Sequence, residues 1–388
     1  MLNKFDDIRP YNDAEVPSVL GRLVHNDEFL TGIARFRRPN LNKALPNISK
    51  KLVKQKLKKK LSNINTIDQL QKAVGEYVEK ILSSTATSLK VEGLHDFAQD
   101  TPHLFISNHR DIVMDPALIG YLLRNSVHGT VQIAIGDNLL KKDYISDLMR
   151  LNKSFIVKRS VQGREKLLAS KQLSEYIYHA IDNGSNVWIA QREGRAKNGI
   201  DKTDPALLKM FHLSNRDASP AMTMKDSINR LGIIPVSISY EYDPCAVMKA
   251  RELYEIEKNG FFEKDENSDF LSISAGLNGE KGNIVLQFGR EIKADDDDPV
   301  TIAQQIDAQI VCNYHLHPSN YLAYEKMQAN DSSIGPKLSD LDVDMQEIEN
   351  KRDIFNEKYN EVEDELKPYF LMTYGNPVVN KLKLETAE

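Results

Sequence analysis

Hydrophobic positions along this chain change their period part-way. Up to about residue 90 they recur at helical spacing, punctuated by Pro39 and Pro46. Val53, Leu57, Leu61 and Ile64 fall on one side of a helix whose other sides carry Lys50, Lys51, Lys54, Lys56, Lys58, Lys59 and Lys60. From His103 the texture changes to short β-rich apolar runs, at 103–107, 131–136, 154–157, 186–190 and 232–239. Amphipathic stretches of helical length lie between them, at 116–124, 139–150, 162–182 and 219–231. Such alternation predicts βαβ units and hence an α/β fold, a mixed, mostly parallel sheet flanked by helices, with sites at strand ends.

The segment 243–281 breaks the rhythm and reads as an excursion beside the site. Its last part, rich in glycine, predicts a hairpin joining 270–274 to 283–288. The aspartates at 295–298, followed by Pro299, read as the acidic start of a helix, since they lack the spaced ligands of a calcium loop. Near the C-terminus Leu341, Met345, Ile348, Phe355, Tyr359, Val362 and Leu366 predict one long helix with a narrow apolar seam. The expected organisation is a helical, basic N-terminal region (1–90), an α/β domain (91–325) and a C-terminal helical extension (326–388).

With 388 residues, 41% apolar and 28% charged, the chain has the composition of an ordinary globular protein. Cys245 and Cys312 are too few for a disulfide framework, which suits a reducing cytoplasm. No run of apolar residues is long enough to span a bilayer, and residues 1–13 lack the apolar centre of a signal peptide, so any membrane contact is expected to be peripheral. The net charge of −5 conceals a sorting of charge. Between residues 33 and 60 there are eleven Lys or Arg and no acids, whereas 340–365 holds eleven acids against three bases. The basic segment suits a solvated helix face or, as the functional reading, a surface held against anionic lipid head groups or an acidic protein partner.

The strongest chemical signal is Ser107-Asn108-His109-Arg110-Asp111-Ile112-Val113-Met114-Asp115-Pro116, where a buried strand gives way to a helix. An imidazole at a strand end meets substrate, and a carboxylate one turn later reaches back to its second nitrogen. That is the base-and-orienter half of a serine-protease triad without the serine, so an acceptor hydroxyl becomes the nucleophile. His109-Arg110-Asp111 also resembles a kinase catalytic loop in letters, but Pro116 stands where the magnesium-binding Asn is needed, and no glycine-rich loop or Asp-Phe-Gly accompanies it.

Taken with three further blocks, this motif resembles the glycerolipid acyltransferase family, which includes glycerol-3-phosphate and lysophosphatidate acyltransferases. Asn108-His109 is followed by Asp115-Pro116 with one residue more than the family's usual Asn-His-x-x-x-x-Asp. Phe155-Ile156-Val157-Lys158-Arg159 is similar to the second block, Glu193-Gly194-Arg195-Ala196-Lys197 to a shortened third, and the apolar strand around Pro235 to the fourth. The resemblance implies a general base, His109, oriented by Asp115 or, given the extra residue, by Asp111. It implies substrate-binding roles for Arg159, Glu193, Gly194, Arg195 and Lys197, with Arg192 as a further candidate. Separate guanidinium groups suit a phosphate clamp.

The activity so implied is O-acyl transfer from acyl-CoA or acyl carrier protein to glycerol 3-phosphate or a lysophospholipid (1-acylglycerol 3-phosphate) in phospholipid biosynthesis. It requires no metal or bound cofactor. The implied partners are those lipids, an anionic membrane surface at the inner face of a membrane and, on one reading, acyl carrier protein, with no nucleic acid. Acylation of another lipid, or a catalytically silent lipid-binding scaffold on the same fold, would keep the fold and the basic surface.

Overall fold

The computed structural model describes residues 4–37, 39–265 and 268–386. In chain order the helices are α1 (Val16–His25), α2 (Asp27–Arg37), α3 (Pro39–Ala44), α4 (Pro46–Leu61), α5 (Ile67–Thr85), α6 (Met114–Arg124), α7 (Asp143–Leu151), α8 (Gly163–Asp182), α9 (Pro205–Arg216), α10 (Met224–Arg230), α11 (Ala246–Asn259), α12 (Ser268–Asn278), α13 (Pro299–Cys312), α14 (Pro318–Asn330), α15 (Met345–Asn360) and α16 (Lys367–Glu385). The strands are β1 (Ala86–Glu92), β2 (Leu104–Ser107), β3 (Val131–Gly136), β4 (Ser154–Val157), β5 (Asn186–Ala190), β6 (Ile233–Tyr240) and β7 (Gly282–Phe288). Two compact units divide them, one of Met1–Tyr77 with Gln132–Tyr176, the other of Val78–Val131 with Ile177–Glu388.

In the smaller unit β3 and β4 pair in parallel. Val16, Leu20 and Leu23 of α1 pack with Ile64, Ile67 and Leu151. A second cluster joins Leu30, Ile33 and Ala34 of α2 to Val53 and Leu57 of α4, so the apolar stripe legible in the sequence is an inward-packing face.

In the larger unit the strand order is β1-β7-β6-β2-β5. Every neighbouring pair is parallel except β6 with β7. Every residue of β2 and β6 is buried, which explains their unbroken apolar runs. Leu322, Ile348, Phe355, Phe370, Leu371 and Tyr374 gather α14, α15 and α16 into one further core with Ala246 and Ala250 of α11. The mixed, mostly parallel sheet with flanking helices and a long C-terminal helix is the fold class that the periodicity predicts.

Three local expectations are corrected. The stretch 270–274 is not the first strand of a hairpin but lies inside α12, and β7 pairs instead with β1 and β6. Residues 86–92 are not helical but form β1, an edge strand whose mixed burial hides the alternation of a strand. The seam from Leu341 to Leu366 does not run through one helix, because α15 stops at Asn360 and a 3-10 turn at Asp364–Leu366 leads into α16. Asp298 does cap α13, accepting from the Val300 and Thr301 amides.

Candidate active site

Three adjacent strands of the larger unit, β6, β2 and β5, run parallel and deliver their carboxyl ends to one edge. Asn108 is the first residue beyond β2, and its buried amide locks onto β6: Nδ2 donates to the Ile238 carbonyl (2.9 Å) and Oδ1 accepts from the Ile238 amide (2.8 Å). This pair of bonds replaces ladder pairing just where β2 ends, and it fixes the backbone from which His109 projects.

His109 Nδ1 lies 2.8 Å from Asp115 Oδ2. The ring stands edge-on to Trp188, centroids 5.8 Å apart. Its side chain keeps 15% of its surface exposed while that of Asp115 has none. Oδ2 of Asp115 also accepts the backbone N–H groups of Arg110 (2.6 Å) and Asp111 (2.9 Å), and Oδ1 accepts the Tyr240 hydroxyl (2.7 Å). Burial pushes the Asp115 carboxyl up, but His109, the Asp111 amide and Tyr240 together bring it below the usual carboxylate value. Asp115 is therefore an ionised acceptor, Nδ1 carries the proton, and Nε2 presents its lone pair. No hydrogen-bond partner for Nε2 occurs among the described residues.

Asp111, the rival for the orienting carboxylate, does different work. Its Oδ1 accepts the Val113 (2.9 Å) and Met114 (2.8 Å) amides and so opens α6. Burial first, and then the charge of Asp115, raise its pKa. A Cβ on Gly276 would come within 2.1 Å of its Oδ2, so the glycine in α12 lets that helix backbone close over the carboxylate.

The turn 193–197 after β5 meets the turn after β2 directly, for the Ala196 amide donates to the His109 carbonyl (2.9 Å). Gly194 takes a left-handed φ of +76° that lets this short turn reverse. Arg195 Nη2 reaches Ser272 Oγ (3.3 Å), and Nη1 is buried with no acceptor among the described residues. Lys197 pairs with Glu252 of α11. Glu193 is exposed. Arg192 donates to the Ile200 carbonyl (3.3 Å). Arg159 belongs to the smaller unit, where its amide donates to Asp137 Oδ1 (3.0 Å) just beyond β4.

Several contributors were not singled out from the sequence. Arg110 is buried, paired with Asp201 (2.6 Å) and stacked over Tyr314 at 5.2 Å. Lys249 is buried on α11, pairs with Asp243 and donates to the Arg110 carbonyl (2.7 Å), so the excursion after β6 braces the turn from behind. Tyr240, at the far end of β6, is 125 positions from the carboxylate it binds. Only its place at the end of a buried strand beside β2 could have drawn attention to it.

Residues 88–239 match the family model described as Acyltransferase. Over those residues the chain is similar to the acyltransferase family. The resemblance read from the four blocks thus holds, and His109, Asp115, Arg159 and the turn 193–197 all lie within the matched residues. Dihydroxyacetone phosphate acyltransferase from Bos taurus is 25% identical over 199 residues, which are 51% of this chain and 27% of that protein. The chain thus matches only about a quarter of the length of that curated relative. The crystal structure of the 1-acyl-sn-glycerophosphate (LPA) acyltransferase PlsC from Thermotoga maritima aligns over 63% of this chain and 79% of that one, at 12% identity and a TM-score of 0.34.

Proposed function

We propose that this acyltransferase domain moves a fatty acyl group from a thioester, acyl-CoA or acyl carrier protein, to the hydroxyl of a phosphate-bearing three-carbon acceptor in lipid synthesis. The acceptors that fit are glycerol 3-phosphate, 1-acylglycerol 3-phosphate and, by the name of the bovine relative, dihydroxyacetone phosphate. The observation that carries this reading is the His109–Asp115 pair, with Nδ1 held by an ionised buried carboxylate and Nε2 left with a lone pair. Nε2 takes the hydroxyl proton as the oxygen attacks the thioester carbonyl. The carbon–sulfur bond then breaks, and the leaving thiolate recovers the proton from the imidazolium while Asp115 stabilises that cation. The acyl group passes directly, without residing on the enzyme.

Arg195 is the favoured phosphate ligand in the larger unit. Its guanidinium uses one weak bond to Ser272 and has donors in reserve, whereas Lys197 is committed to Glu252. Work on such lipids calls for attachment at a membrane surface, with the anionic inner face as the favoured place. Among the described residues no helix is long and apolar enough to cross a bilayer. The paired His109 and Asp115 favour an enzyme over a silent scaffold, which has no use for an oriented imidazole.

The test is thiol release from palmitoyl-CoA and from palmitoyl acyl carrier protein with each of the three acceptors in turn, with product identified by mass. Acceptor-dependent release with an acylated phosphate product is expected. Arg195→Ala is expected to raise the acceptor KM by about 10- to 100-fold, the scale of a lost charged hydrogen bond. Release that ignores every acceptor, or an unchanged KM, would contradict the respective part of the reading.

A further inference from the structure

We propose that the outer face of α4 is a docking surface for a bilayer bearing anionic head groups. The choice of a bilayer over other acidic partners rests on the proposed lipid substrates, but the binding itself requires no catalysis.

The face is defined by what α4 leaves outside. Val53 and Leu57 turn inward onto α2, and Ser49 is buried with them. Leu45, Ile48 and Leu52 stay outside, 49%, 51% and 36% exposed. Ile48 and Leu52, four apart, share one row along the helix that continues through Lys56 and Lys59, and Leu45 stands just ahead of it at the N-cap. Lys51 lies alongside Ile48, and Lys58 and Lys60 complete an exposed basic end. Lys50 is anchored to Asp27 at 2.7 Å. Among the described residues Lys51, Lys54, Lys56, Lys58, Lys59 and Lys60 have no carboxylate partner. No acid occurs between residues 33 and 60. Elsewhere on the same unit some carboxylates do meet bases, as in Arg9 with Glu15 and Arg22 with Asp147, whereas α4 itself carries seven lysines and no acid.

Charge complementarity calls for an anionic partner, and the apolar row selects among them. An acidic protein surface would pair with the lysines but set Leu45, Ile48 and Leu52 against polar groups. A bilayer offers both phases a few ångströms apart, so the lysines meet phosphates while the three apolar side chains enter the acyl boundary. Because the inward face of α4 is already packed, docking calls for no rearrangement of the helix.

Flotation of the full chain with phosphatidylcholine vesicles, with and without phosphatidylglycerol, tests this. Binding is expected only with the anionic lipid and is expected to fall with added salt. Replacing Lys51, Lys56, Lys58 and Lys59 together by Gln is expected to weaken binding at least ~30-fold. Replacing Leu45, Ile48 and Leu52 together by Ser is expected to weaken it about 10-fold, with the circular dichroism of both variants unchanged. Absent binding, or binding that both folded variants retain, would overturn the proposal. So would tight binding of purified acyl carrier protein that depends on the same lysines while vesicles are ignored. If vesicle binding shows the expected dependence and acyl transfer is absent, the docking surface stands and the proposed reaction falls.

Discussion

The turn that follows β2 and the outer face of α4 are built on opposite plans. In the turn, the polar groups around the imidazole are tied down: Asn108 to β6, Asp115 to four donors, Asp111 to the start of α6, and the Arg110 carbonyl to Lys249. On α4, most of the lysines have no partner at all among the described residues. Proton transfer needs atoms held to within a fraction of an ångström, whereas attraction to a charged surface needs only the sum of charges. The first region should fail when one atom changes, and the second only when several side chains change together.

The largest effect of a single-atom change is expected at Asp115. Asp115→Asn is close to isosteric but offers His109 an amide, so the imidazole loses its tautomer and the stabilisation of its cation. A loss of about 10²- to 10⁴-fold in kcat/KM is expected, with the fold preserved in circular dichroism. An asparagine variant with full activity would break the contrast between the regions.

Tyr240→Phe removes one donor from the same carboxylate and leaves the other three. Asp115 then becomes more basic and holds the proton on its partner more firmly. The expected result is a loss of about 10-fold in kcat/KM, the scale of one hydrogen bond to a charged group, with the acid limb of the pH–rate profile moved to higher pH. A uniform loss with an unmoved limb would mean that Tyr240 serves packing alone.

Asp111→Asn sharpens the comparison from within the turn, since asparagine can still cap α6. Burial and the charge of Asp115 raise the pKa of Asp111, so stability is lost as the pH rises from the unfolded pKa through the raised folded one, and acid relieves that cost. The variant should therefore match or exceed the parent in thermal stability at pH 7, by up to about 1 kcal/mol, with the difference vanishing as the pH falls. Activity should stay within about threefold of the parent, as befits a residue that does not touch the imidazole. A loss as large as that of Asp115→Asn would transfer the orienting role to Asp111.

The smallest effect belongs to the other region. Lys56→Gln alone is expected to change vesicle binding by no more than about fivefold and kcat not at all.

How far this was legible in sequence follows from the range of each interaction. His109 and Asp115 are six positions apart on a strand-to-helix turn, so their pairing could be read from local spacing, although the extra residue left Asp111 as a rival until the backbone showed which oxygen points where. Tyr240, Lys249 and Asp201 act from elements far along the chain, and no local pattern joins them to the turn. Strands β2 and β6 were visible because both faces are buried, while β1, half exposed at an edge, offered a mixed pattern inside a helical neighbourhood. The inward stripe of α4 showed as a period, but the exposed set of Leu45, Ile48 and Leu52 did not. Whether an apolar residue faces in or out is decided by what α2 covers.

The most direct test of the central claim is the rate of acceptor-dependent thiol release by the parent and by His109→Ala, measured under identical conditions on proteins with matching melting curves. The account predicts a loss of at least ~10³-fold in kcat/KM. A folded His109→Ala protein that retains the parent rate would contradict it, and the base would have to be sought elsewhere.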